Sequence, residues 1–149
     1  MDDAIARGIA HLSHVGQLDR FGEPLIEHIE RVAAAVAPDA RAVAFLHDVL
    51  EHSDTSVSEL SAQGLTPVEL GALRLLTRGP GESYEAHALR IVHAPGREGA
   101  LARAIKVADL DDHLEHREMP PGAPPYAWAR RLIAAARASR DGDHGAAAA

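Results

Sequence analysis

Ala44-Phe45-Leu46-His47-Asp48-Val49-Leu50-Glu51-His52 is the stretch on which the reading of this chain turns. An apolar segment runs into two adjacent side chains that can both bind metal, and an acid and a second His follow within one helical turn. Val43, Leu46, His47 and Leu50 fall on one face of a helix expected over about residues 39–51, so His47 should point inward. Upstream, His28 sits in Leu25-Ile26-Glu27-His28-Ile29-Glu30; downstream, Asp109 sits in Ile105-Lys106-Val107-Ala108-Asp109-Leu110. Imidazole nitrogens and carboxylate oxygens in the order His, His-Asp, Asp suit Mn, Fe or Zn, or Mg with more oxygen ligands. Such an ion lowers the pKa of water and offsets charge on phosphoryl oxygens. The residues alone also fit a blander reading, in which a His fills the core and an Asp caps a turn.

The rest of the chain reads as helix. Its 149 residues suit one domain with a real core. Apolar residues make up 46%, much of it Ala and Leu, with one Trp, two Tyr and two Phe. Ala and Leu favour helices, whereas strands prefer β-branched and aromatic residues. A first helix is expected over 3–14, with Ile5, Ile9 and Leu12 on one face at helical spacing. Pro24 opens a second, with a stripe of Leu25, Ile26, Ile29, Val32, Ala33 and Val36. Ser56 to Glu59 and Thr66 to Glu69 have capping-box spacing. Ser83 caps a helix to about His93, residues 98–116 form the longest segment, and a last helix covers about 126–139. No strand pairs or internal repeats are evident. The expectation is a single all-α domain of seven or eight helices over residues 1–140, with a disordered tail at 141–149.

Charge and composition exclude several functions. A formal net charge of −7 argues against gripping a nucleic acid polymer, which needs a basic surface. A negative body can still hold a phosphate compound if a metal and a few Arg or Lys line the cleft. The absence of Cys removes disulfides, thiolate zinc sites and cysteine nucleophiles. No apolar run approaches the ~20 residues of a membrane span, and no secretory signal is evident, so a cytoplasmic location is expected.

Further stretches carry a resemblance. They are His14-Val15-Gly16-Gln17, then Gly22-Glu23-Pro24-Leu25-Ile26-Glu27-His28 with Val32-Ala33, then Phe45 to Glu51. Leu76-Thr77-Arg78 with Gly81-Glu82-Ser83-Tyr84 and Lys106-Val107-Ala108-Asp109-Leu110 follow. In this order, over about residues 4 to 116, the chain resembles an HD-domain metal-dependent phosphohydrolase. The branch it looks most like is the RelA/SpoT-type guanosine tetraphosphate pyrophosphohydrolase domain and its small stand-alone relatives.

The resemblance implies a compact HD-type helical fold and one divalent ion, Mn first, with Fe, Zn, Mg, Ni or Co as alternatives. His28, His47, Asp48 and Asp109 take its metal-ligand positions. Glu51 takes the place of a catalytic acid, and its i, i+3 spacing from Asp48 puts both carboxylates on one side of a helix. Lys106, one turn before Asp109, and Arg78 and Tyr84, flanking Gly79-Pro80-Gly81, are candidates to meet a nucleotide or phosphate ester.

The chain also departs from the pattern. His52 stands where an acidic residue follows the Glu, although an imidazole also moves protons near neutral pH. Gln17-Leu18-Asp19-Arg20 replaces a basic pair, leaving only a displaced Arg20. His113 stands where an Asn often follows the last Asp. These positions contact the nucleotide in the family, so the substrate stays open. Two activities fit: hydrolysis of a nucleotide or related phosphate ester, or a non-catalytic module that binds metal and nucleotide and signals to a partner. The oligomeric state stays open as well.

Overall fold

The computed structural model describes the backbone of residues 1–115 and 122–146, and side chains within these as far as residue 139. It is helical throughout, and among the described residues the closest approach to a strand is an isolated bridge between Leu18 and Pro24. The segments are α1 (Asp3–Ser13), α2 (Leu25–Ala34), α3 (Pro38–Leu46), α4 (Val49–His52), α5 (Val57–Ala62), α6 (Pro67–Leu76), α7 (Tyr84–His93), α8 (Gly96–Glu115) and α9 (Tyr126–Ala146). With the single turn α4 taken as a continuation of α3, the described residues form eight helices, within the seven or eight expected. The helix α9 runs on to Ala146, past its expected end near 139. Residues 116–121 and the last three residues of the expected tail lie outside the described residues.

Local chemistry starts most helices where the sequence places them. Asp2 accepts from the Ala4 and Ile5 amides at the head of α1. Both capping boxes form: Ser56 with Glu59 on α5, and Thr66 with Glu69 on α6. Ser83 caps α7 by accepting from Ala86.

The helix α8 is the axle of the fold. It packs against α2, α3, α6, α7 and α9. Its buried residues, among them Leu101, Ala102, Ile105, Ala108, Asp109 and Asp112, spread around its circumference. A helix enclosed on all sides has no apolar stripe to read.

Two local readings change. In α1 the buried face is Ala6 and Ala10, whereas Ile5 is 43% and Leu12 79% exposed. The small alanines let α1 lie close on α3, and the larger residues are turned outward. The helix expected over 39–51 is broken after Leu46. The His47 imidazole Nδ1–H donates to the Ala44 carbonyl at 2.7 Å, a carbonyl that the helix would otherwise use. The chain then turns through Asp48 into α4. Adjacent residues of an unbroken helix face different directions; this break lets His47 and Asp48 serve one cluster.

The loop between α1 and α2 forms a tight hairpin-like turn. Asp19 accepts from the amides of Phe21 and Glu23, and Gly22 occupies the left-handed region at φ +84°. Asp19 thus shapes the loop at a place where the resemblance expects a basic residue.

Candidate metal centre and cleft

Three helical segments and the break between two of them bring the four expected ligands together. His28 comes from the middle of α2, His47 and Asp48 from the break, and Asp109 from α8. His28, His47 and Asp109 are buried, and Asp48 is partly exposed at the floor of the cleft. Asp109 Oδ1 is the common point: it lies 3.2 Å from His28 Nε2 and 3.9 Å from His47 Nε2. His47 Nε2 lies 3.6 Å from Asp48 Oδ1.

The far side of each imidazole is anchored. His28 Nδ1–H donates to Asp112 Oδ2 at 2.7 Å, and Asp112 is gripped in turn by Arg31 through Nε at 2.6 Å and Nη2 at 3.1 Å. His47 Nδ1–H is spent on Ala44. These partners fix the tautomer, so each Nε2 is the free nitrogen. Both Nε2 atoms are fully buried and lack a hydrogen-bond partner, since the 3.2 Å approach to Asp109 is not aligned for one. Buried polar atoms are rarely left so. One donor atom each from His28, His47 and Asp48 falls within 4.8 Å of the others. Ligands bonded to one divalent ion at ~2.0–2.2 Å lie about that close. The residues present therefore fit a divalent ion.

Charge is concentrated here. Burial opposes ionisation of Asp109, but Lys106, His113 and His28 pull its carboxyl well below the usual range. Burial likewise opposes the His28 imidazolium, and its contacts with the Asp109 and Asp112 carboxylates overcome this, raising it to about 10, so a cation at Nε2 would take the place of a proton there. Asp48 is also held low: His47 and His28 outweigh the effects of burial and of Asp109. An anionic cluster around two oriented imidazoles is the electrostatic setting a cation requires.

A cleft of about 420 Å³ opens over this cluster, lined among others by His47, Asp48, Glu51, Arg78, Lys106 and Asp109. Every residue expected to meet substrate lies on its wall: Arg20, Arg78, Tyr84, Lys106 and His113, together with Glu51 and His52. Lys106 is not a surface lysine. Its Nζ binds Asp109 Oδ2 at 2.6 Å and stands 6.0 Å from the centre of the Tyr84 ring. Burial works against its charge, yet Asp109 keeps it above the ordinary lysine range. The Tyr84 hydroxyl is buried without a hydrogen-bond partner, and burial pushes it up to about 12, so it stays a donor. Glu51 accepts from the Arg78 amide at 3.1 Å, with the Arg78 Nε 3.7 Å away. The His52 carbonyl accepts from the Gln17 side chain at 2.8 Å, and Gln17 accepts from His14 Nδ1 at 2.9 Å. The stretch His14 to Gln17 thereby braces the turn that carries Glu51.

For Asp111 and Asp112, beside Asp109, the sequence suggests a solvated acidic face, with one of the two a candidate to support the site from behind; the packing of α2 on α8 gives that task to Asp112, the anchor of His28. Its neighbour Asp111 does take the expected outward position, paired with Arg130 at 2.8 Å. His87, to which the sequence assigns no task, is buried in the cleft wall, where Nε2–H donates to the Leu75 carbonyl at 2.9 Å. Tyr126 is buried at the start of α9 and anchors that helix. It is also part of a stack, parallel to His113 at 4.7 Å and with the Arg20 guanidinium 5.1 Å from its ring centre. A His–Asp pair made by residues 84 positions apart leaves no local pattern that marks which of the two acids takes part.

No family model matches the sequence, and no curated protein matches it. The fold does have a solved counterpart. A structure described as a metazoan ortholog of SpoT that hydrolyzes ppGpp and plays a role in starvation responses matches at TM-score 0.70 and 20% identity. The match covers 91% of this chain and 84% of the other. The architecture is thus the HD-type helical fold. Among the described residues no helix is long and apolar enough to cross a membrane.

Proposed function

We propose that this chain is a metal-dependent phosphohydrolase acting on a nucleotide or related phosphate ester, with guanosine tetraphosphate-type compounds the first substrates to test. One observation carries the reading: two buried imidazoles, each anchored at Nδ1, turn unpartnered Nε2 atoms toward Asp48 and Asp109 at the floor of a cleft that also holds Glu51. His28, His47, Asp48 and Asp109 would hold the ion, Mn first among candidates. When bound, it supplies Lewis acidity toward water and phosphate oxygen.

The remaining chemistry belongs to the chain. Glu51, steadied by the Arg78 amide, accepts a proton from the attacking water. Lys106, Arg78 and Arg20 bring positive charge to the cleft walls, where preorganised cations stabilise the charge developing on the phosphoryl oxygens. Tyr84 offers a fixed hydroxyl donor. His52 lines the same cleft and can relay a proton to solvent. A pure binding module has no use for an acid oriented as Glu51 is, and that orientation favours hydrolysis over the signalling alternative.

The test is a metal-dependent hydrolysis screen over nucleoside mono-, di- and polyphosphates, including guanosine tetraphosphate, with Glu51→Gln alongside the native chain. Turnover by the native chain that falls at least ~100-fold in Glu51→Gln, while metal binding is kept, is the expected result. Equal activity in the variant would remove Glu51 from the mechanism. Nucleotide binding without turnover under any metal would favour the signalling module.

A further inference from the structure

His113 stands at the ligand cluster as well as on the cleft wall. Its Nε2 lies 3.1 Å from Asp109 Oδ1, the oxygen already approached by His28 Nε2 at 3.2 Å and His47 Nε2 at 3.9 Å. Three imidazole nitrogens thus converge on one carboxylate oxygen. One donor atom each from His28, Asp109 and His113 falls within 4.8 Å of the others, the same closeness found for His28, His47 and Asp48. The two groups share His28.

The ring of His113 is held rather than free. It stacks on His28 at 4.7 Å with a 20° tilt and on Tyr126 at 4.7 Å with a 7° tilt. Its side chain is 18% exposed, and Asp109 and His113 are four residues apart on α8, one above the other on the same face. Two ligands at i and i+4 of one helix is a spacing that lets a helix present both to one ion.

We infer that His113 is a third imidazole ligand to the same ion, making the donor set of this chain His28, His47, Asp48, Asp109 and His113. This rests on the reading of the cluster as a metal centre. A set of three imidazoles and two carboxylates is more nitrogen-rich than one of two and two. It moves preference away from Mg²⁺, which favours oxygen, and toward Co²⁺, Ni²⁺ and Zn²⁺. It also gives His113 a task other than touching the nucleotide.

The experiment uses the full chain, stripped with a chelator and reloaded with ¹¹³Cd²⁺, with its histidines labelled in ¹⁵N. Scalar coupling between ¹¹³Cd and ¹⁵N counts bonded imidazole nitrogens directly, without any substitution. Three coupled nitrogens are expected. Calorimetric titration of His113→Asn with Co²⁺ should show affinity lowered by at least ~10-fold, since even the loss of a group behind a ligand costs that much. The loss with Mg²⁺ should be smaller. Two coupled nitrogens, with unchanged Co²⁺ affinity in His113→Asn, would overturn the assignment and leave the four-residue metal centre standing. No cadmium or cobalt binding by the native chain would overturn both.

Discussion

Asp112→Ala tests the scaffold behind the metal centre. Asp112 is 8% exposed and joins two helices by taking His28 Nδ1–H at 2.7 Å and the Arg31 guanidinium at 2.6 and 3.1 Å. Truncation frees the His28 ring to rotate or to change tautomer, and it leaves Arg31 facing α8 without this carboxylate. Removing a carboxylate that orients a metal-binding His typically costs 10–100-fold in metal affinity, or about 1.4–2.7 kcal/mol. Breaking a fully buried pair would destabilise the fold by roughly 3–5 kcal/mol. The Arg31 side chain is 39% exposed and can rehydrate, so about 1.5–3 kcal/mol is expected here.

Asp112→Asn separates the two effects. It retains an oxygen that accepts from His28 but sets an amide against Arg31. Most of the metal affinity should survive, with part of the stability lost. Asp111→Asn is the control on the same helix. Its pair with Arg130 is exposed on both sides, so stability should change by no more than ~0.5 kcal/mol and metal affinity not at all. The assays are calorimetric titration with Mn²⁺ and chemical denaturation of the metal-free chain. Native metal affinity in Asp112→Ala, or equal losses in the Asp111 and Asp112 variants, would refute the anchoring role.

Three further substitutions address the loop beside Glu51, the packing of α8 and the open face of α1. Glu82 accepts from Arg90 Nε and Nη2, both at 2.8 Å, and from the Gly79 amide at 2.9 Å; these contacts, Arg90 foremost, hold its carboxyl at about 2 against an ordinary 4.5. A carboxyl depressed on folding binds fewer protons in the folded chain. Its contribution is therefore complete above about pH 4.5 and fades as pH falls toward 2. The side chains are 19% and 35% exposed, which screens the pair to about 1–2 kcal/mol. Denaturation of Glu82→Gln should show that deficit at pH 7 and almost none near pH 2; a deficit constant with pH would refute it. At Gly99 an added Cβ would collide with the Ala94 carbonyl oxygen, so Gly99→Ala should destabilise by about 1–3 kcal/mol in a thermal melt. Gly8, on α1 with nothing within 4 Å, should instead gain about 0.5–1 kcal/mol as Ala, and a gain at Gly99 would show that α8 can shift away from Ala94.

The amino-acid sequence by itself determined the helical class and most helix boundaries, and it singled out four residues that the fold brings together. It could do so because caps, prolines and helical spacing act over a few residues, and because the ordered stretches around His28, His47-Asp48 and Asp109 carry a recognisable pattern. Only the tertiary structure decided the rest. The break after Leu46 depends on an imidazole taking the Ala44 carbonyl, and it is what turns two neighbouring residues into one cluster. Asp112, His87 and His113 acquire their surroundings from helices packed around α8, whose even burial erases the periodicity that would mark an inner face. Contacts between residues 81 positions apart, as for Arg31 and Asp112, are set by how helices cross, and no local pattern records a crossing.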